Sequence, residues 1–170
     1  MSTEHIPPFY KRYIDLVDAQ LLAHTLRENG ESMSGFVKTW TDDMANYRYE
    51  DGKWTAREVI QHLIDSERVF AYRALRFARM EQSELPGFNE NEYAAVYEED
   101  PRPFSEVIHE TEAVRASTVA LFESLSPHAL KRTGRASGVD MSVQTIGEVI
   151  AGHELHHKNI LIERYFPDTA

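Results

Sequence analysis

His153 and His157, in the stretch His153-Glu154-Leu155-His156-His157, carry the clearest chemical promise in this chain. On a helix, positions four apart share one face with Cβ atoms about 5–6 Å apart, which lets two imidazoles grip one metal ion. The string also fits the metalloprotease pattern H-E-x-x-H. That pattern takes its third ligand downstream, and only thirteen residues follow His157. A third ligand must therefore come from earlier in the chain, and His62 is the best placed.

On a wheel of about 100° per residue, Ile146, Ile150, His153, His157, Ile160 and Arg164 share a face. His62 shares a stripe with Val59, Ser66, Val69 and Arg73, beside an apolar arc of Ile60, Leu63, Ile64, Phe70 and Ala74. A group flanking the core in this way belongs in a cleft wall. Three neutral imidazoles facing one space suit a divalent transition metal, Zn²⁺ or Ni²⁺ foremost, with room left for water or substrate. Neutral donors leave the full charge of the ion acting on a bound water, whose pKa then falls to about 7. His156 is also one turn from His153 but about 60° off the face, so His157 is preferred. His5, His24, His109 and His128 read as solvated or locally hydrogen-bonded residues.

These residues must be positioned by helices. Apolar residues stepping by three and four mark a first helix over roughly 18–40, weakened by Gly30 and Gly35 at about 1 kcal/mol each. A capping-box signature, Thr55-Ala56-Arg57-Glu58, opens a second helix that reaches about Met80. A third covers roughly 104–125, between Pro103 and Ser126-Pro127. A fourth opens near Thr145-Ile146-Gly147-Glu148 and runs to about Phe166, before Pro167. No convincing strand is visible, and Gly134-Arg135-Ala136-Ser137-Gly138 reads as a polar connection. The expected fold is all-α: a four-helix bundle forming one domain over residues 1–170. A crossover of about twenty residues joins helices two and three and is long enough for them to run parallel.

Composition narrows the function. A net charge of −10 argues against nucleic acid as a partner. Arg68, Arg73, Arg76 and Arg79 fall on one helix among apolar residues and read as a flank with internal partners. Without cysteine there is no disulfide, thiolate ligand or cysteine nucleophile. No secretory signal and no apolar run of about eighteen residues is present, so a cytoplasmic protein with no membrane contact and a small-molecule substrate is expected.

Other residues invite competing readings. Glu106-Val107-Ile108-His109 and Glu154-Leu155-His156-His157 both fit the Glu-x-x-His motif of di-iron bundles, with Glu67 and Glu28 or Glu31 available as further ligands. That reading leaves His62 and His153 without a role and puts His109 near a helix end. Glu154 is a candidate general base, though its direction on the wheel favours an exposed or supporting carboxylate. Ser66 and Arg73 could face the cleft. Arg73 could hold an anionic substrate or a thiol cofactor's carboxylate, with an internal salt bridge the simpler role. Phe88, Tyr93 and Tyr97 on the crossover could cover the site or, as favoured for Phe88, merely pack. Ala151, Leu155, Ile162 and Phe166 give helix four a second apolar side, which implies a central helix or a homodimer interface.

Two segments resemble the DinB superfamily in its YfiT-like branch. The first runs Gly52-Lys53-Trp54-Thr55-Ala56-Arg57-Glu58-Val59-Ile60-Gln61-His62-Leu63-Ile64-Asp65-Ser66-Glu67-Arg68, continued by Phe70 to Arg76 and Leu85-Pro86-Gly87-Phe88. The second runs from Gly152-His153-Glu154-Leu155-His156-His157-Lys158 through Glu163-Arg164-Tyr165. The resemblance spans about Tyr10 to Phe166. It implies a four-helix bundle whose metal is held by one histidine of the second helix and an H-x₃-H pair of the fourth, here His62, His153 and His157. It also implies an enzyme. Characterised members are thiol-dependent transferases or isomerases using low-molecular-weight thiols, and many others are called metal-dependent hydrolases without a known substrate. DNA binding is not characteristic of the family. Thiol transfer is accordingly expected over hydrolysis, with a catalytically idle metal-binding or interaction bundle as the rival.

Overall fold

The structure, a computed structural model, describes residues 6–18 and 21–166, so His5 and Pro167 lie outside it. In chain order its helices are α1 (Pro8–Ile14), α2 (Leu22–Val37), α3 (Asp42–Asn46), α4 (Ala56–Ala78), α5 (Glu90–Glu99), α6 (Phe104–Glu123), α7 (Pro127–Leu130) and α8 (Val143–Ile160). A two-stranded antiparallel sheet, β1 (Thr133–Ala136) and β2 (Val139–Ser142), precedes α8, and a π turn over Leu161–Tyr165 follows it. The bundle consists of α2, α4, α6 and α8, so the all-α expectation holds. No helix among the described residues is long and apolar enough to cross a membrane.

Around the bundle α2 packs on α6 and α8, and α4 packs on the same two, so helices consecutive in that core of four are not always neighbours. Cross-helix bonds give the directions. Gln61 meets Arg102 and Glu67 meets Arg115, so α4 and α6 run parallel, as the long crossover permits. Trp54 meets Tyr165 and His62 meets His153, so α4 and α8 are antiparallel.

Local chemistry explains the ends. Thr55 caps α4 through the expected box: its hydroxyl accepts from Glu58 N at 3.3 Å, and the Glu58 carboxylate accepts from Thr55 N at 2.6 Å. The fourth helix starts earlier than Thr145, because Ser142 is its cap and accepts from Thr145 N at 3.1 Å. The last strand residue is thus the first helical cap, with no linker between them. The hairpin corrects the all-helical reading of this connection. Ser137 and Gly138 both adopt positive φ, 51° and 75°, which suits a tight two-residue turn. Four-residue strands such as Thr-Gly-Arg-Ala carry too little alternation to be read as strands beforehand. The crossover likewise holds α5, and α1 lies across the bundle against α8.

The core comes in two pieces. One apolar cluster gathers Leu26, Phe70, Phe77, Phe122, Ile146 and Ile150 at the hairpin end, and the other gathers Met33, Trp40, Ile60, Ile64, Phe104 and Leu161 at the opposite end. Buried polar residues lie between them in the sequence of three of the four bundle helices: Ser66 and Glu67 on α4, Arg115 on α6, and His153 and Glu154 on α8. Of the second apolar side of helix four, Ala151 and Phe166 are buried within the chain, and Leu155 and Ile162 are half-buried.

Candidate metal centre

Two antiparallel helices bring the three predicted histidines together. His62 lies two turns into α4, and His153 and His157 lie in the second half of α8. One ring nitrogen from each falls within 4.8 Å of the other two. Ring centroids are 4.9 Å apart for His62 and His153, 5.1 Å for His62 and His157, and 4.6 Å for His153 and His157. His62 Nε2 and His153 Nε2 approach to 3.1 Å. Two imidazole nitrogens bound at about 2.0–2.1 Å to a tetrahedral ion sit about 3.3–3.4 Å apart, so the pair is close to the spacing such an ion imposes.

The surroundings favour donors over cations. Burial pushes His62 down to about 4. Burial and then repulsion from His62 push His157 down to about 3, and burial with repulsion from both partners holds His153 well below its ordinary value. All three rings are therefore neutral at pH 7, which is the ligating form. The Ser66 hydroxyl sits 3.4 Å from His62 Nδ1, leaving Nε2 to face the other histidines. Trp54 packs 5.0 Å from the His62 ring and Tyr13 5.1 Å from His153. Tyr13 arrives because α1 presses on Gly152: a Cβ there would sit 2.0 Å from Tyr13 O.

A cleft of about 410 Å³ opens onto the three rings, within the range of small-molecule sites. It is lined by Tyr10, Arg12 and Tyr13 of α1, by Ser66, Phe70 and Arg73 of α4, and by His156. Phe88 and Glu90 of the crossover also reach it, so Phe88 does more than pack, while Tyr93 and Tyr97 border a small cavity on the other side of His62. A larger groove of about 630 Å³ runs between α2 and α6, away from the histidines. Its charges are largely satisfied among themselves, with Arg27 paired to Glu123 and Lys38 to Glu112.

Two expectations need correction, and one disfavoured alternative falls away. Glu154 is neither a base for the cleft nor exposed. It is 4% exposed, and both its oxygens bind Arg115, which also grips Glu67 through Nε and Nη2 at 2.9 and 2.8 Å. Arg115 was not singled out from the sequence, since one arginine on a helix of mixed composition carries no distinguishing signal. The di-iron arrangement is also ruled out, because Glu106 and His109 are exposed and Glu67 and Glu154 share Arg115. Arg73, finally, is buried and among the described residues makes no salt bridge. Its Nη2 donates to Pro86 O at 2.9 Å and to Ser137 Oγ at 2.8 Å.

The fold and the sequence have counterparts among known proteins. A protein of Oceanobacillus iheyensis, named as a provisionally assigned metal-dependent hydrolase, is 31% identical over 134 residues, covering 75% of this chain and 76% of its own length. One of Geobacillus kaustophilus with the same style of name is 25% identical over 123 residues, covering 71% and 69%. The solved structure of YfiT from Bacillus subtilis, described as a probable metal-dependent hydrolase with an unusual four-helix bundle topology, superposes with a TM-score of 0.65 at 19% identity. It covers 96% of this chain and 90% of YfiT, a likeness of fold. Residues 25–161, which include all three histidines, match the model of one family, and the chain belongs to the DinB superfamily.

Proposed function

We propose that His62, His153 and His157 bind a divalent transition metal, and that the protein is a metal-dependent enzyme acting on a small electrophilic molecule in the adjoining cleft. The supporting observation is the convergence of three neutral ring nitrogens within 4.8 Å at the floor of a 410 Å³ cleft. An ion held there would supply Lewis-acid activation to an incoming water or thiol, at undiminished charge because every donor is neutral. The protein's own groups do the rest. Ser66 meets His62 Nδ1 at 3.4 Å, and Trp54 and Tyr13 pack against the His62 and His153 rings. Glu154, committed to Arg115, takes no proton from the cleft. His156 lines the cleft outside the trio and is held below its ordinary pKa by burial and then Arg12, so it is neutral at pH 7 and able to accept a proton.

The names of the relatives favour water as the nucleophile, hence hydrolysis. Transfer to a low-molecular-weight thiol is the second reading, favoured by a cleft open enough to admit one. The test has two stages. Elemental analysis of protein purified without added metal is expected to find one transition ion per chain, lost in His62→Ala. Loaded protein is then offered activated esters, and separately a thiol-reactive electrophile with candidate thiols. Ester turnover supports hydrolysis, thiol consumption supports transfer, and metal uptake without either returns the protein to a binding role.

A further inference from the structure

We infer that the cleft contains a carboxylate subsite at Arg73, so that the molecule reacting at the histidines carries an anionic group at some distance from its reactive atom. The inference rests on the metal-dependent reading above for the position of the reactive atom, and on Arg73 for the rest.

Arg73 is 2% exposed, yet among the described residues none of its partners is an acid. Its Nη2 donates to the neutral oxygens of Pro86 and Ser137, and its guanidinium carbon lies 5.5 Å from the Phe70 ring centroid. A buried guanidinium keeps its charge, and a buried charge without a counterion is costly. Arg115, another buried arginine of the bundle, is met by two carboxylates. Among the described residues, Arg73 is met by none. Glu90, the acid that shares this cleft, is exposed and makes no ion pair with Arg73.

The position suits a second anchor. Arg73 falls on the same stripe of α4 as His62 and Ser66, and its side chain lines the same cleft as the three histidines. The Phe70 ring lies near both, 6.5 Å from that of His153 and 5.5 Å from the guanidinium carbon. The bonds to Pro86 and Ser137 come from two separate loops and hold the guanidinium in place before any ligand arrives, so little side-chain freedom is lost on binding. With Nη2 held by Pro86 and Ser137, the remaining N–H groups of the guanidinium are left to donate to a carboxylate, and a charge-assisted bond in a buried setting is among the stronger polar contacts.

The test compares matched ligand pairs by calorimetry on metal-free and zinc-loaded protein. In one arm, ω-mercaptocarboxylates of increasing length are set against mercaptoalcohols of the same length, which asks whether the carboxylate belongs to a thiol carrier. In the other, mono-methyl esters of dicarboxylic acids are set against the dimethyl esters, which asks whether it belongs to the substrate. At one or more lengths in either arm, the carboxylate member is expected to bind about tenfold tighter. The preference should persist without metal, vanish in Arg73→Met, and fall several-fold in Arg73→Lys, which keeps the charge and loses the planar guanidinium with its two loop bonds. Circular dichroism checks that both variants are folded, and the lysine variant decides the matter if the methionine variant is not. Equal binding within every pair, or a preference that survives Arg73→Met, overturns the subsite. If zinc strengthens neither member of any pair, the metal reading fails on its own while the carboxylate preference still judges Arg73.

Discussion

Helix α8 carries two polar clusters on consecutive residues, and they are built on opposite principles. Glu154 points to one side, where Arg115 binds it and Glu67 in a closed set with all three residues under a tenth exposed. His153 points to the other, where it meets only imidazoles and aromatic rings beneath an open cleft. The first cluster is charged and satisfied by the protein alone, with Arg115 also donating to Leu26 O on α2, so that four helices meet at one guanidinium. The second is neutral, and its nitrogens converge without an acid or carbonyl to bind. The comparison suggests a division of labour. One side of the helix sets the register of the bundle, and the rigidity it provides is what keeps three rings from two helices in a ligand-like triangle on the other.

That division can be broken most forcefully at its structural half. Replacing Arg115 by methionine strands two buried carboxylates and is expected to cost about 3–5 kcal/mol in urea unfolding. A loss below about 1 kcal/mol would mean that the triad does not set the register. Acid should act on the other half. In metal-free protein the folded-state pKa values of His62 and His157 lie at about 4 and about 3, against about 6.5 for histidine in an unfolded chain. Below pH 6.5 the unfolded chain therefore binds more protons, so stability is complete above that pH and drains away as pH falls toward 4 and then 3. Thermal melts across pH 7.5 to about 4 should show this slope, and His62→Ala should flatten it.

Smaller perturbations sharpen the picture. Gly152→Ala drives a methyl into the Tyr13 carbonyl, so α1 must retreat, at a cost of about 1–3 kcal/mol. Amide exchange in α1 should accelerate while α6 stays protected, and unchanged exchange would show that α1 tolerates the shift. Ser66→Ala should leave the fold intact and weaken zinc binding about tenfold, read by competition with a chelating dye. An affinity equal to wild type would remove Ser66 from the support of His62.

The sequence made the histidines legible because their geometry is local. Spacing by four is a property of one helix, and a capping box at Thr55 fixed the phase of the helix carrying His62. What was hidden depended on pairings between distant segments. Arg115 lies 39 residues from Glu154 and 48 from Glu67, and nothing in its own neighbourhood distinguishes it from a surface arginine. The salt bridge expected for Arg73 went to Arg115 instead, since periodicity says which side a residue faces but not which charge waits there. The hairpin escaped notice because its two strands are four residues each, and its turn relies on Ser137 accepting a left-handed conformation. Short helix α1 was missed for a related reason: seven residues make too few turns to reveal a period.

The contact between Tyr13 and Gly152 carries a practical lesson for handling the polypeptide. Helix α1 lies beside the very imidazoles whose metal content has to be counted. A polyhistidine purification tag fused ahead of it would tether extra ligands within a short leash of the cleft, and could inflate the stoichiometry or occupy the open face. Tags belong at the other terminus, or should be cleaved before any ion is weighed.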